Sequence, residues 1–371
     1  MNYICNDCKS KYPINDSKIL CNCGGMLNLE KDILDFTDED INKREFSLFR
    51  YLKVLPFNRN EHSWRKVSMG EGLTPIIPFD DKYKNILLKM DYLMPTLSFK
   101  DRGAVVLIAK AKELGITKVI QDSSGNAGNS VAAYASRVGI SCDIYVPEGT
   151  SEKKVKQIEA HGAKVHIISG TREDTAKEAL KAVNKGDGFY ASHVYNPIFY
   201  EGTKTYVYEV YEQLNGCLPH SFVIPVGNGT LLLGVYIGLL ELLEYGLISK
   251  LPKIIGVQAE NCAPIFRAFV DGKEVVDPVE NYGTKAEGIA IADPKRGKQI
   301  LEAISKTNGT IITAKEEKIL EAQKLLAKKG LYVEVTTAAT LAAYLEYIKE
   351  NNEISNQNVI IPLCGAGLKS S

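Results

Sequence analysis

Lys100 follows the turn Pro95-Thr96-Leu97-Ser98-Phe99 and opens a helical segment that continues Asp101-Arg102-Gly103. A helix N-terminus carries partial positive charge, so an ammonium is misplaced there and tends to shed its proton. The neutral amine is the form in which lysine acts as a nucleophile or base. Taken alone, this turn also fits a solvated lysine after a serine cap. A second turn, Asp122-Ser123-Ser124-Gly125-Asn126-Ala127-Gly128-Asn129, precedes an alanine-rich stretch. Small residues at a helix start let the backbone N–H groups of Ser123, Ser124 and Gly125 approach an anion such as a substrate carboxylate. An ordinary N-cap is the equal alternative. In a third turn, Gly227, Asn228, Gly229 and Thr230 follow Pro225-Val226. Two glycines and a hydroxyl ahead of a helix make a phosphate cradle. No Gly-Lys-Thr or Gly-Lys-Ser follows, which excludes a Walker loop. The small residues of the fourth turn, Leu363-Cys364-Gly365-Ala366-Gly367, leave room for a ring, though taken alone the turn fits a plain C-terminal glycine loop better.

Four cysteines stand apart from these turns. Cys5-x2-Cys8, twelve residues, then Cys21-x-Cys23 resembles a four-cysteine zinc ribbon. Four thiolates suit tetrahedral zinc in a segment too small to fold unaided. The one-residue spacing of the second pair leaves a metal-free appendage open as the alternative. Cys142, Cys217 and Cys262 read as small packing residues.

The elements that position the turns alternate. Short strands are expected at 85–89, 118–121, 142–146, 164–168, 222–225, 254–258 and 359–362. Helices are expected at 101–113, 129–138, 151–160 and 174–184, from 231 onward, and at 316–329 and 337–351. This alternation predicts an α/β fold with mainly parallel sheets, whose ligands sit at the carboxyl ends of the strands. Residues 1–30 read as the appendage, and residues 31–66 as a charged connector with helical character.

Composition sets the outer bounds. The 371 residues are 45% hydrophobic, and 45 Lys+Arg balance 45 Asp+Glu. A net charge of zero without like-charge runs argues against a nucleic-acid partner. Residues 1–8 show neither a basic nor an apolar leader segment. The most apolar stretch, 235–248, is broken by Glu241 and Glu244, so no membrane span is expected. A cytoplasmic protein without structural disulfides is the expectation.

A reactive lysine, a carboxylate nest, a phosphate cradle and a small-residue wall together describe a site for pyridoxal phosphate. Ser98-Phe99-Lys100-Asp101-Arg102-Gly103 resembles the lysine motif of threonine synthases, within the fold type II (tryptophan-synthase-β-like) pyridoxal-phosphate enzymes. Glu71-Gly72-Leu73-Thr74-Pro75 resembles the family's Glu-Gly-x-Thr-Pro. Asn196-Pro197 with Glu201-Gly202-Thr203-Lys204-Thr205 resembles its Asn-Pro-x-Arg-x-Glu-Gly-Gln-Lys-Thr. Gly256-Val257-Gln258-Ala259-Glu260, Val333-Glu334-Val335 and Gly367-Leu368-Lys369 match as well.

The resemblance implies two α/β domains with the cofactor between them. Residues 31–103 and 191–371 would form the larger and 104–190 the smaller, inserted one. It implies that Lys100 carries the cofactor as a Schiff base and acts as catalytic base, and that Phe99 lies at the cofactor. Asn126 would bond the ring 3′ oxygen, the 227–230 turn would hold the phosphate, and Cys364 would face the pyridine nitrogen. Ser123, Ser124, Gly125 and Asn196 would bind a small amino-acid substrate. The implied activity is threonine formation from O-phosphohomoserine by a homodimer. Three positions depart from the pattern: Ala127 replaces a threonine, Phe199 the arginine, and Cys364 a threonine or serine. Phenylalanine cannot supply an arginine's bidentate grip on phosphate. Serine and threonine dehydratases resemble the chain at Ser124-Gly125-Asn126-Ala127-Gly128 and at Cys364, so elimination of ammonia from threonine or serine is the alternative.

Overall fold

Buried β-rich runs such as Val119-Ile120 and Ile360-Ile361 are too short to span a core alone, and the chain gathers them into sheets covered by helices. The computed structural model describes residues 1–15, 18–30, 35–58, 62–351 and 356–369. The chain divides into two compact units, Met1–Glu71 with Lys100–Thr203, and Gly72–Phe99 with Lys204–Ser371.

The first unit holds a four-stranded parallel sheet in the order Lys164–Ile168, Ser141–Pro147, Lys118–Gln121, Phe189–Tyr190. The helix Lys100–Glu113 runs through its core, with every residue from Asp101 to Ala111 buried. It meets the helix Pro197–Thr203 through glycines. A Cβ on Gly103 would lie 2.3 Å from the Phe199 ring, and one on Gly202 would lie 1.9 Å from the Arg102 carbonyl oxygen. The same unit carries a small antiparallel sheet, ordered Lys11–Pro13, Asn2–Cys5, Leu27–Glu30, at the N-terminus.

The second unit holds a six-stranded sheet ordered Thr310–Ala314, Lys253–Ala259, Ser221–Pro225, Val359–Pro362, Ile86–Lys89, Ile76–Pro78. Only the last strand is antiparallel to its neighbour. The apolar 235–248 stretch falls within the helix Thr230–Glu244 and the residues after it. Glu241 there pairs with Lys204 at 2.8 Å and accepts from Tyr208 at 2.7 Å. No helix of the described residues is long and apolar enough to cross a membrane.

Several details differ from the sequence expectation. Phe49 and Trp64 stack at 4.6 Å in the same core as the helix Lys100–Glu113, so the connector up to Glu71 belongs with the smaller sheet. The expected boundary had placed residues 31–103 with the larger one. The connector forms short 3-10 turns and the four-residue helix Trp64–Val67, while residues 31–34 and 59–61 lie outside the described residues. The helix expected at 129–138 starts at Asn126, because the small polar residues read as turn already coil into its first turn. Cys142 and Cys262 are buried, but Cys217 is exposed.

Candidate active site

The sequence-predicted residues divide between the units. Lys100, Ser123, Ser124, Gly125, Asn126 and Asn196 belong to the first. Phe99, Gly227, Asn228, Gly229, Thr230 and Cys364 belong to the second.

In the first unit, Lys100 is the first residue of its helix. The next residue, Asp101, is fully buried and accepts a short hydrogen bond from Ser130. One turn further along that partner helix, the Tyr134 hydroxyl donates to Glu71 at 3.1 Å. The helix Asn126–Arg137 is therefore anchored at two points, which fixes the turn at its N-terminus. In that turn the Ser123 hydroxyl accepts from the Gly125 N–H at 3.3 Å. A Cβ on Gly128 would fall 1.8 Å from the Ser123 carbonyl oxygen, so the turn closes this tightly only over glycine. Asn196 is committed to its own turn. Its side-chain oxygen accepts from the Ile198 N–H at 3.0 Å, and its amide donates to the Tyr190 carbonyl at 3.4 Å.

Three further groups of this unit drew no role of their own from the sequence. Glu71 is fully buried and accepts from the Ser68 hydroxyl and the Met69 N–H, each at 2.8 Å. Burial outweighs those bonds and pushes its carboxyl up to about 7. Asn129, one turn after Asn126, buries an amide with no partner for either end. His193 is 7% exposed and its Nδ1 has no hydrogen-bond partner. Burial first, then the positive charges of Lys100 and Arg172, hold its imidazole neutral, well below the usual range.

In the second unit, the strand Ser221–Pro225 delivers Gly227 against the Gly288 carbonyl oxygen, 2.9 Å from where a Cβ would stand. Gly229 adopts φ +76° and caps the fifteen-residue helix Thr230–Glu244. Its own Cβ would meet Ile300 at 2.5 Å. The first turn of a long helix behind two glycines presents backbone N–H groups that fit a phosphate dianion. Phe99 is fastened to the turn after the last strand: its N–H donates to the Cys364 carbonyl at 2.9 Å. The Thr337 hydroxyl accepts from the N–H groups of Cys364 and Gly365 at 3.1 and 3.3 Å. The Glu334 carboxylate abuts Gly365 so closely that a Cβ there would stand 2.4 Å from its carbon. The fully buried Ser98 hydroxyl has no hydrogen-bond partner and so offers one to a polar ligand group. A cradle, a small-residue strand end and an orphan hydroxyl within this unit suit a phosphorylated ring.

The four N-terminal cysteines converge. All four sulfurs lie within 4.8 Å of one another, with Cys5 and Cys23 at 3.6 Å and Cys8 and Cys21 at 3.4 Å. Tetrahedral zinc–sulfur bonds of about 2.3 Å place sulfurs roughly 3.8 Å apart, so the cluster fits the ion. The Tyr12 hydroxyl, 3.1 Å from Cys21, is the main cause that brings that thiol down to about 6.

Residues 67–365 match the family of pyridoxal-phosphate dependent enzymes. The threonine synthase of Methanocaldococcus jannaschii is 34% identical over 98% of this chain and 92% of its own length. That of Methanosarcina acetivorans is 34% identical over 91% and 84%. Among solved structures, the processed form of threonine deaminase isoform 2 from Solanum lycopersicum superposes with a TM-score of 0.69 at 25% identity, covering 79% of each chain.

Proposed function

The chain belongs to the pyridoxal-phosphate-dependent lyases of the threonine-synthase-like family, and on that premise we propose that it forms threonine and phosphate from O-phosphohomoserine and water. The observation that carries this reading is Lys100 at the first residue of a buried helix, its neighbour Asp101 locked to Ser130. Lys100 binds the cofactor, and its amine takes the proton from the substrate Cα. Gly227, Asn228, Gly229 and Thr230 hold the cofactor phosphate, Asn126 its ring oxygen, and Phe99 and Cys364 its ring. The bound cofactor supplies the electron sink for the carbanion. Ser123, Ser124 and Gly125 receive the substrate carboxylate, with Asn196 fixing the neighbouring turn. The N-terminal cysteines bind one structural zinc ion. A homodimer in the cytoplasm completes the proposal, by family analogy.

One observation favours a second reading. Phe199 is fully buried and its ring fills the space over Gly103, so no guanidinium is available at this position for a substrate phosphate. An ammonia-lyase acting on threonine or serine needs none. The purified holoenzyme is incubated with O-phospho-L-homoserine, and phosphate and threonine are assayed together. Equal release of both supports the synthase. No release from protein that retains its cofactor overturns it, and keto-acid formation from L-threonine then supports the second reading.

A further inference from the structure

We propose that His193 determines substrate specificity: its imidazole takes the phosphate group of the substrate, the task left without an arginine at position 199. The inference rests on the phosphoester reading above and deepens it.

His193 sits in the turn between the strand Phe189–Tyr190 and the helix Pro197–Thr203. That strand runs parallel to Lys118–Gln121, with Val119 opposite Phe189 and Ile120 opposite Tyr190. The His193 turn and the Ser123-Ser124-Gly125 turn therefore leave the sheet side by side, at the carboxyl ends where ligands bind. They are fastened together: the Ala191 N–H donates to the Ile120 carbonyl at 2.8 Å, and the Gln121 amide donates to the Ala191 carbonyl at 2.7 Å. Within the turn, the Ser192 hydroxyl accepts from the N–H groups of Val194 and Tyr195, and the Ser192 carbonyl from that of Asn196. His193 is thus held rigidly with Nδ1 buried and unpartnered. Leaving a buried polar atom unpaired costs about 1–3 kcal/mol, a cost that a ligand removes.

The surroundings indicate which ligand. The Phe199 ring stands edge-on to the imidazole, 6.0 Å between centroids, so His193 flanks the position from which the arginine is missing. The charges that act on it are cationic: Lys100 from one helix start and Arg172 from another. Arg172 also acts on Asp122, at the neighbouring strand end, whose carboxyl burial pushes up and whose oxygen accepts from Tyr190 at 2.9 Å. Cations and a pairless imidazole suit an anion. An arriving phosphate reverses the field, draws a proton onto His193 and forms a charge-assisted hydrogen bond.

The test uses holoenzyme, whose cofactor phosphate already fills the cradle, and inorganic phosphate as probe. Binding is followed by titration calorimetry between about pH 6 and 8 in buffers of different ionisation enthalpy. Wild type should take up protons in excess of His193→Asn and His193→Gln. Both variants should bind phosphate about tenfold more weakly while keeping the cofactor absorbance and melting temperature. The protonation of phosphate itself is common to all three proteins and cancels. Variants that match wild type in affinity and proton uptake, or a wild type that binds no phosphate, overturn the proposal. His193-dependent phosphate binding without turnover of O-phosphohomoserine would leave His193 standing as a phosphate ligand and sink the synthase reading instead.

Discussion

Glu71→Gln should make the protein more stable than wild type at neutral pH and remove a step from its stability–pH profile. The folded chain holds the Glu71 proton more tightly than the unfolded chain, since burial lifts the carboxyl from 4.5 to about 7. Its contribution to stability is therefore complete below about pH 4.5, declines as the pH rises to about 7, and is flat above. At 1.36 kcal/mol per pH unit, that rise corresponds to roughly 3 kcal/mol. Glutamine keeps one oxygen, which can accept from Met69 and Tyr134 as one carboxylate oxygen does, and its amide can donate to the Ser68 hydroxyl in place of the other, so the substitution removes the charge and little of the geometry. Denaturant unfolding of both proteins between about pH 4.5 and 8 reads the difference, with every other titrating group common to both. The two curves should converge in acid and part by about 3 kcal/mol above neutrality. Parallel curves would refute the reasoning and place the Glu71 carboxylate comfortably in its ionised form.

Other perturbations follow from the same contacts. Gly227→Ala forces a methyl against the Gly288 carbonyl and Ile291, and should weaken pyridoxal-phosphate binding about tenfold or more by fluorescence titration. Glu209→Gln strands the fully buried Lys89, which also donates to Gln213 at 3.0 Å, and should cost about 3–5 kcal/mol in denaturant unfolding. The double change Lys89→Met with Glu209→Leu should cost less, because no charge is left unpaired. Metal analysis of freshly purified protein should find one zinc per chain, and Cys5→Ser should lower that occupancy.

The alternation of short apolar runs with helical periodicity was legible because strand and helix periods are local properties. The strands Lys118–Gln121, Lys164–Ile168 and Val359–Pro362 fall where the sequence places them, and the glycine turns do as well. What sequence conceals depends on partners far along the chain. Lys89 reads as the end of a strand, and only folding brings it to Glu209, 120 residues away. Glu71 reads as part of a motif, but its raised carboxyl arises from burial, which only the fold supplies and which outweighs the hydrogen bond from Tyr134, 63 residues on. His193 carries no local signal: its importance comes from an unpaired nitrogen, and pairing is a tertiary property. The helices Pro197–Thr203 and Thr205–Gln213 were missed because they are buried on every side and lack the apolar stripe of a surface helix.

The central claim is that Lys100, alone among the buried or partly buried lysines, carries the cofactor. Borohydride reduction of the holoenzyme fixes pyridoxal phosphate to the lysine that bears it, and peptide mapping then identifies that residue. The label should fall on the peptide containing Lys100. A label on Lys89 or Lys204, the lysines that pair with Glu209 and Glu241, would contradict the account.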